Sequence, residues 1–312
     1  MSSPPTQAPD VATGDDVVKI LTWNIKKGEQ LDAACDVIAE QDPDVVLWQE
    51  MQPGDLEKVT ARLGMDGYPA AAPLAARFVA DGMLPGASRN DNAILLKSGG
   101  PFVKVQAYDH GWAPWHPPAN ITVRLRASGG SDAESSGILG LVSAHLCYYS
   151  AAVREIEADW FSTLAKPGML TIIGMDRNGY LVGEGPDWDK LQLYPGFDRA
   201  HWHNRTLRSD DGDRYADDRT DEGMNELGFV DPCHYARDVL GHPKAVGITA
   251  GYAVKGHGGP HAIDGVYGSA ALAPLTVRAG VLDTPRLRHI SDHLPTEWCL
   301  SRSGLWQTMT SQ

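Results

Sequence analysis

Nothing in this chain is built to cross a membrane, pair its cysteines or coat itself in positive charge, and each absence removes a class of function. No stretch approaches the ~18 consecutive apolar residues that a bilayer-spanning helix needs, so membrane insertion is not expected. The four cysteines, Cys35, Cys147, Cys233 and Cys299, are far apart and form no Cys-x-x-Cys pair. That spacing argues against a thiolate zinc site or a dense disulfide framework, and reduced thiols are expected. Forty acidic against 27 basic residues leave a formal net charge of −13. Tight, sequence-blind adhesion to a polyanion draws on clustered Lys and Arg, so a nucleic-acid coat protein is disfavoured. A nuclease that attracts its substrate through metal ions and a few basic side chains is not. No Gly-x-Ser-x-Gly elbow supports Ser-His-Asp catalysis, and the loop Lys255-Gly-His-Gly-Gly-Pro260 lacks the Gly-Lys-Ser/Thr ending of a nucleotide-binding loop. Residues 1–16 contain no Lys or Arg and no apolar core, so no secretory leader is read there and the cytoplasm is the expected compartment.

What is present is a globular composition. Hydrophobic residues make up 42% and charged residues 21% of 312, enough for a sizeable core in one large domain. Residues 1–16, rich in Pro, Ser and Asp, read as a disordered tail. Residues 17–300 are expected to form one catalytic domain, and residues 301–312 a C-terminal tail. From Val17 a β-branched apolar run predicts a strand. Leu31, Ala34, Cys35 and Ile38 at helical spacing follow, then a second strand over Val45 to Gln49 after the break at Pro43. Further strands are predicted at Ala93–Leu96, Ile121–Leu125, Ile138–Ala144, Leu170–Gly174, Ala262–Val266, Leu275–Val281 and Thr296–Cys299. An amphipathic helix is predicted over Ser150–Leu164 with Val153, Ile156, Trp160, Phe161 and Leu164 on its apolar face, and a short helix over Thr220–Leu227 closed by Gly228. Residues 180–222, polar and rich in Asp, Arg and Gly, read as a long functional loop. Strands outnumber helices and interleave with them, which favours sheets packed on each other with helices outside.

Six short islands carry the chemistry: Trp23-Asn24, Gln49-Glu50, Ser143-Ala-His145, Asp176-Arg-Asn178, Ile263-Asp264 and Ser291-Asp292-His293. Four of them close a predicted strand, so the fold can carry their polar ends to one mouth. A phosphate ester resists attack because its oxygens repel nucleophiles, and its catalyst needs a cation on the phosphate, a base for water and donors for developing charge. Glu50 and Asp292 are hard oxygen ligands suited to Mg²⁺ or Mn²⁺, and Asn24 adds a neutral amide. Asp264 can orient the imidazole of His293 as a base, provided the chain turns after Ser291. Asp176 and Asn178, two apart, share a face if their strand continues, and His145 can donate to the phosphate. Singly these residues have plainer readings: a turn former, a helix-entry acid, a core imidazole. Together, the six islands point to one phosphate-ester site.

The set resembles the endonuclease/exonuclease/phosphatase superfamily, in which an opening strand ends in Trp-Asn, the next in Gln-Glu, and the chain closes on Ser-Asp-His. The Asp-x-Asn, Ile-Asp and His-Leu islands stand here in that family's order. The resemblance, over roughly residues 17–300, implies a four-layer α/β/β/α sandwich of two mostly antiparallel sheets flanked by helices. It also implies metal binding by Asn24, Glu50 and Asp292, water or phosphate handling by Asp176 and Asn178, an Asp264–His293 base pair and His145 as donor. Two departures stand out. Met175 and Arg177 bracket Asp176 where the family has a glycine and an apolar or aromatic residue, and Gly265 follows Asp264 where Tyr or Arg is usual.

The expected activity is divalent-metal-dependent hydrolysis of phosphate esters, first as a phosphodiesterase or nuclease acting on nucleic acid. The alternatives are a small-molecule or lipid phosphate-ester phosphatase, and a catalytically silent binding module on the same fold. The sequence carries no signal of oligomeric state.

Overall fold

Alternation with a period of two organises the central strands. In the computed structural model, which describes residues 17–52, 54–71, 91–111, 116–129, 133–252 and 255–311, two six-stranded sheets face each other. The first is ordered β13 (Thr276–Val281), β14 (Thr296–Ser301), β1 (Val17–Asn24), β2 (Val45–Met51), β4 (Asp91–Lys97) and β3 (Met65–Pro69). The second is ordered β11 (Phe229–Val230), β12 (Asp264–Ser269), β8 (Leu170–Asp176), β7 (Leu139–His145), β6 (Ala119–Leu125) and β5 (Phe102–Tyr108). β1 and β2 run parallel, as do β7 and β8, and every other pairing within the two sheets is antiparallel. The predicted strands are therefore present, most of them one to three residues longer than read.

The inner faces of the sheets make the main core. Val18 and Ile20, Val45 and Leu47, Leu139 and Leu141, Leu170 and Ile172, and Val266 all pack there. The odd-numbered partners Leu21 and Trp23 face outward onto α1 (Leu31–Gln41), α2 (Asp55–Leu63) and α8 (Pro285–Ile290). Val142, Ile173, Met175 and Tyr267 face outward from the second sheet, in one cluster with Phe161, Leu164 and Met224. Two of these come from the turn after α3 (Ala151–Asp159), and Met224 from α6 (Arg219–Glu226). The result is the four-layer sandwich with helices on both outer sides.

Three expectations need correction. The C-terminal segment is not a tail: Arg302–Thr310 forms helix α9, whose Leu305 and Met309 are fully buried in the inter-sheet core. It sits at the end opposite Asn24, because Ser301 pairs with Val17. Residues 180–222 are not a featureless loop. They fold into α4 (Trp188–Leu191), α5 (Arg199–Arg205) and the hairpin β9 (Thr206–Arg208) with β10 (Arg214–Ala216). Tyr180 and Trp188 form their own small core with Ala250 and Ile263, and Leu191, Phe197 and Trp202 pack against it. Finally, the apolar face predicted over 150–164 is met only in part: Phe161 and Leu164 are buried and Val153 and Trp160 half-buried, but the face departs from the prediction inside α3. Ile156 is 60% exposed while Arg154 and Glu157 are buried, Arg154 bonding Asp217 and Glu157 accepting from the Cys147 N–H at 2.7 Å.

The four cysteines are free and buried. No helix among the described residues is long and apolar enough to cross a membrane. Residues 1–16, expected as a tail, lie outside the described residues.

Glu157 has a measurable consequence. Burial pushes its carboxyl up from 4.5 to about 7, against the Cys147 N–H and Arg154, which pull it down. A folded-state value above the unfolded one means that its contribution is favourable below about pH 4.5 and is lost as pH rises to about 7. The stability difference between wild type and Glu157→Gln, from urea melts across that window, is expected to swing by roughly 2–3 kcal/mol at 1.36 kcal/mol per unit, with the variant gaining at pH 7. A pH-independent difference would contradict this environment for Glu157.

Candidate active site

The strands that are apolar along the core turn polar together at one end. On the inner faces the series runs Ile20, Thr22, Asn24; Leu47, Gln49; Leu141, Ser143, His145; Ile172, Gly174, Asp176; and, from the antiparallel direction, Val266, Asp264. The middle tier ties the sheets to each other. Gln49 Nε2 donates to Ser143 Oγ at 3.0 Å, and Ser143 Oγ donates to the Trp48 carbonyl at 2.9 Å. Gly174 is required in this tier, since a Cβ there would lie 2.7 Å from both Thr22 Oγ1 and Leu47 Cδ1. The outer tier is the mouth, and strand register delivers it: Asp176 pairs with His145 on one side and Asp264 on the other.

Glu50 reaches the mouth against the pleat. After inward-facing Gln49, an ordinary strand would point it outward, but the β2–β4 register shifts between Trp48 and Met51 and Glu50 adopts φ 60°. A left-handed backbone is rare for a residue such as Glu and costs about 1–3 kcal/mol. It turns the carboxylate toward Asn24, whose Nδ2 donates to Glu50 Oε1 at 3.1 Å and to Asp176 Oδ2 at 2.9 Å. Asn24 thus bridges a carboxylate from each sheet, and its own oxygen accepts from Lys26 N at 3.0 Å.

The chain turns after Ser291 as the sequence required. Ser291 Oγ donates to the Asn24 carbonyl at 2.8 Å and accepts from His293 N at 3.1 Å. That turn sends Asp292 to the exposed side, where it forms no hydrogen bond or ion pair with a described residue, and His293 inward. His293 Nδ1 lies 2.9 Å from both Asp264 oxygens and 3.8 Å from Asp176 Oδ2. Thr249 Oγ1 accepts from the Ile263 and Asp264 N–H groups at 3.0 Å, fixing the segment that carries Asp264.

Asp176 and Asn178 come together by a different route from the predicted one. The strand ends at Asp176, Asn178 takes a left-handed φ of 52°, and its N–H donates to Asp176 Oδ1 at 2.9 Å. His145 is buried with Nε2 3.5 Å from Asp176 Oδ2 and 4.0 Å from Glu50 Oε1, its ring stacked on His116 at 4.4 Å.

Electrostatics follow from this crowding. Burial acts to raise the Asp176 carboxyl, but His293, His145, Arg205 and the Asn24 amide outweigh it and hold Asp176 below the ordinary carboxylate range. Burial raises Asp264, only partly offset by His293. For His293 burial acts downward, and Asp264 and Asp176 overcome it to push the imidazole up to about 10. Two carboxylates and an imidazole, from Asp176, Asp264 and His293, also offer ligand atoms all within 4.8 Å of one another.

Two of the three positions that depart from the family pattern, Arg177 and Gly265, prove to be one feature. Arg177 is fully buried behind the site, donating to Tyr267 OH at 3.1 Å and to the Ala262 carbonyl at 2.9 Å. A Cβ at Gly265 would lie 2.7 Å from Arg177 Nη1. The glycine after Asp264 thus makes room for the arginine after Asp176, and that arginine braces the backbone leading to Asp264. Nothing in the sequence connects the two positions. Thr249 and Arg205 have no sequence signal, because neither stands in a motif.

These sheets, their order and the strand-end mouth define the endonuclease/exonuclease/phosphatase fold. Solved structures agree. An endonuclease/exonuclease/phosphatase protein from Beutenbergia cavernae superposes with a TM-score of 0.58 at 16% identity, covering 92% of this chain and 72% of its own. An AP endonuclease from Archaeoglobus fulgidus gives 0.55 at 16% over 90% and 98%. A mannosyl-6-phosphatase from Bacteroides thetaiotaomicron gives 0.54 at 13% over 90% and 98%. No protein-family profile matches the chain, and no curated protein matches it in sequence.

If Gly265 is kept small for Arg177, then Gly265→Ala should cost about 1–3 kcal/mol, and adding Arg177→Met should cost less than it does alone. Urea melts of the two single variants and the double variant measure this coupling; strictly additive costs would refute the pairing.

Proposed function

We propose that this protein is a divalent-metal-dependent phosphoester hydrolase. The observation that carries the reading is the His293–Asp264 pair, with Nδ1 at 2.9 Å from both carboxylate oxygens, facing Asp176 and the Asn24–Glu50 bridge across the sheets. An imidazole so oriented has its proton-bearing nitrogen defined and its other nitrogen left to act as a base, the arrangement general-base catalysis needs.

The donor chemistry fits a hard divalent cation. Glu50, Asp176, Asp264 and Asp292 crowd negative charge that His293 and Arg205 only partly balance, and such oxygen-rich sets suit Mg²⁺ or Mn²⁺. Glu50, with Asn24 beside it and Asp292 uncommitted on the exposed rim, would hold the ion. A cation held there would polarise the phosphate, offset charge on the leaving oxygen and ease part of the carboxylate field that holds the His293 imidazole up. The remaining roles belong to the chain. Asp176 aligns a water, and His293, steadied by Asp264, takes its proton as the water oxygen bonds to phosphorus opposite the leaving ester oxygen. The N–H groups of Asn178 and His145 address the non-bridging oxygens, and no covalent intermediate is required.

A phosphodiester is the substrate we favour, with nucleic acid first. The superposition on an AP endonuclease supports this. The net charge of −13 and the superposition on a sugar phosphatase support a second reading, a small-molecule monoesterase.

Hydrolysis of bis-p-nitrophenyl phosphate, p-nitrophenyl phosphate and supercoiled plasmid, with Mg²⁺, Mn²⁺ or EDTA, separates these readings. Metal-dependent cleavage of the diester or plasmid is expected. Glu50→Gln, Asp176→Asn and His293→Ala should each lower turnover by about 10²–10⁴-fold while melting near wild type. Release from the monoester alone would favour the phosphatase, and full activity in all three variants would overturn the assignment.

A further inference from the structure

Arg205 does not behave like a structural arginine. It arrives from α5, in the segment that sequence reading took for a loop, and is buried to 7% exposure. Arg154, buried nearby, has its fork filled by Asp217 and by the Cys147 and Asn204 carbonyls. Arg205 has no ion pair with any described residue. Its Nη2 donates to Asn178 Oδ1, and its Nη1 is enclosed with no hydrogen-bond partner. A buried cation without a paired carboxylate and with an unmet N–H is costly, and an apolar side chain would fill the space at less expense to stability. What the guanidinium supplies that an apolar group cannot is a donor-only contact to Asn178.

That contact decides which way the Asn178 amide faces. The two ends of a carboxamide are nearly the same in shape, and only hydrogen bonding distinguishes them. Arg205 can only donate, so the amide oxygen must be on its side. On the other side Asn178 Nδ2 donates to the Leu146 carbonyl at 2.9 Å. The amide is locked from both ends, its backbone N–H is held by Asp176, and one N–H of Nδ2 is left over. Tyr180 OH, equally buried and unbonded, bears on Arg205 electrostatically from the same insert, and Asp176 and Asp264 do so from the strand ends.

We propose that Arg205 is a positioning residue: it holds the Asn178 amide so that the spare N–H meets a non-bridging oxygen of the phosphate ester. The insert spanning 180–222 therefore completes the site from outside the two sheets. This role rests on the hydrolase reading above, and its test carries a readout that does not.

The experiment is a double-mutant cycle with Arg205→Met, Asn178→Ala and the double variant, on whichever phosphate ester wild type turns over, with thermal melts as controls. Each single variant should lower kcat by about 10- to 100-fold, as expected for a charge-assisted hydrogen bond, with KM changed less. The double variant should be no slower than the slower single one. Arg205→Lys, which keeps a donor to the same oxygen, should recover most of the turnover lost in Arg205→Met. In parallel, the side-chain amide resonances of Asn178, identified by their absence in Asn178→Ala, should move in Arg205→Met at unchanged fold. Multiplicative losses in kcat, or Asn178 resonances that stay put, would overturn the proposal. The resonances decide it even if wild type turns over none of the esters, an outcome that would sink the hydrolase reading separately.

Discussion

Everything at the mouth depends on the amide of Gln49 crossing from one sheet to reach Ser143 on the other. Two facing sheets held by apolar side chains alone can slide, and a site assembled from both would slide with them. The tier of Thr22, Gln49, Ser143 and Gly174 opposes this with buried hydrogen bonds and one very close approach, because sliding would strand the Gln49 Nε2 donor away from its partner on the facing sheet. The apolar tier below supplies the driving force for burial, and the charged tier above inherits the alignment. Two residues further along these strands lie Asn24, His145 and Asp176.

The charged tier is then a balance of opposing costs. Carboxylates from β2, β8 and β12 are brought closer than water would allow, and three devices make this tolerable. Asn24 bridges Glu50 and Asp176, His293 carries a proton between Asp264 and Asp176, and Arg205 lends charge from behind Asn178. Backbone strain is spent at the same place, at Glu50 and Asn178. Strain and like-charge crowding at one strand-end mouth are what a fold retains for chemistry rather than stability.

The positions of the strands along the chain and the polar residues that close them were legible in the sequence because both are local. A β-branched run and its closing polar residue lie next to each other, so Trp23-Asn24 or Gly174-Met175-Asp176 could be read without a partner. The long-range packing was not legible. In the helix after Ser150, Phe161 and Leu164 are buried as the periodicity indicates, but Arg154 and Glu157 are buried where Ile156 was expected, because Asp217 and the Cys147 N–H satisfy them, groups that no periodicity reveals. Leu305 and Met309 looked like part of a tail because a short C-terminal helix is recognised by what it plugs. Arg177 and Gly265 are 88 positions apart and make sense only as neighbours across β8 and β12. Arg205 had no signal at all, since its partner is a single amide oxygen.

The central claim is that the strand-end carboxylates form a divalent-cation centre for phosphoester chemistry. Calorimetric titration of Mn²⁺ into the metal-free protein near neutral pH, beside Glu50→Gln, tests it most directly. The account predicts one saturable site per chain in wild type and at least a tenfold weaker one in the variant. Absence of a saturable site, or binding that the variant leaves unchanged, would contradict it.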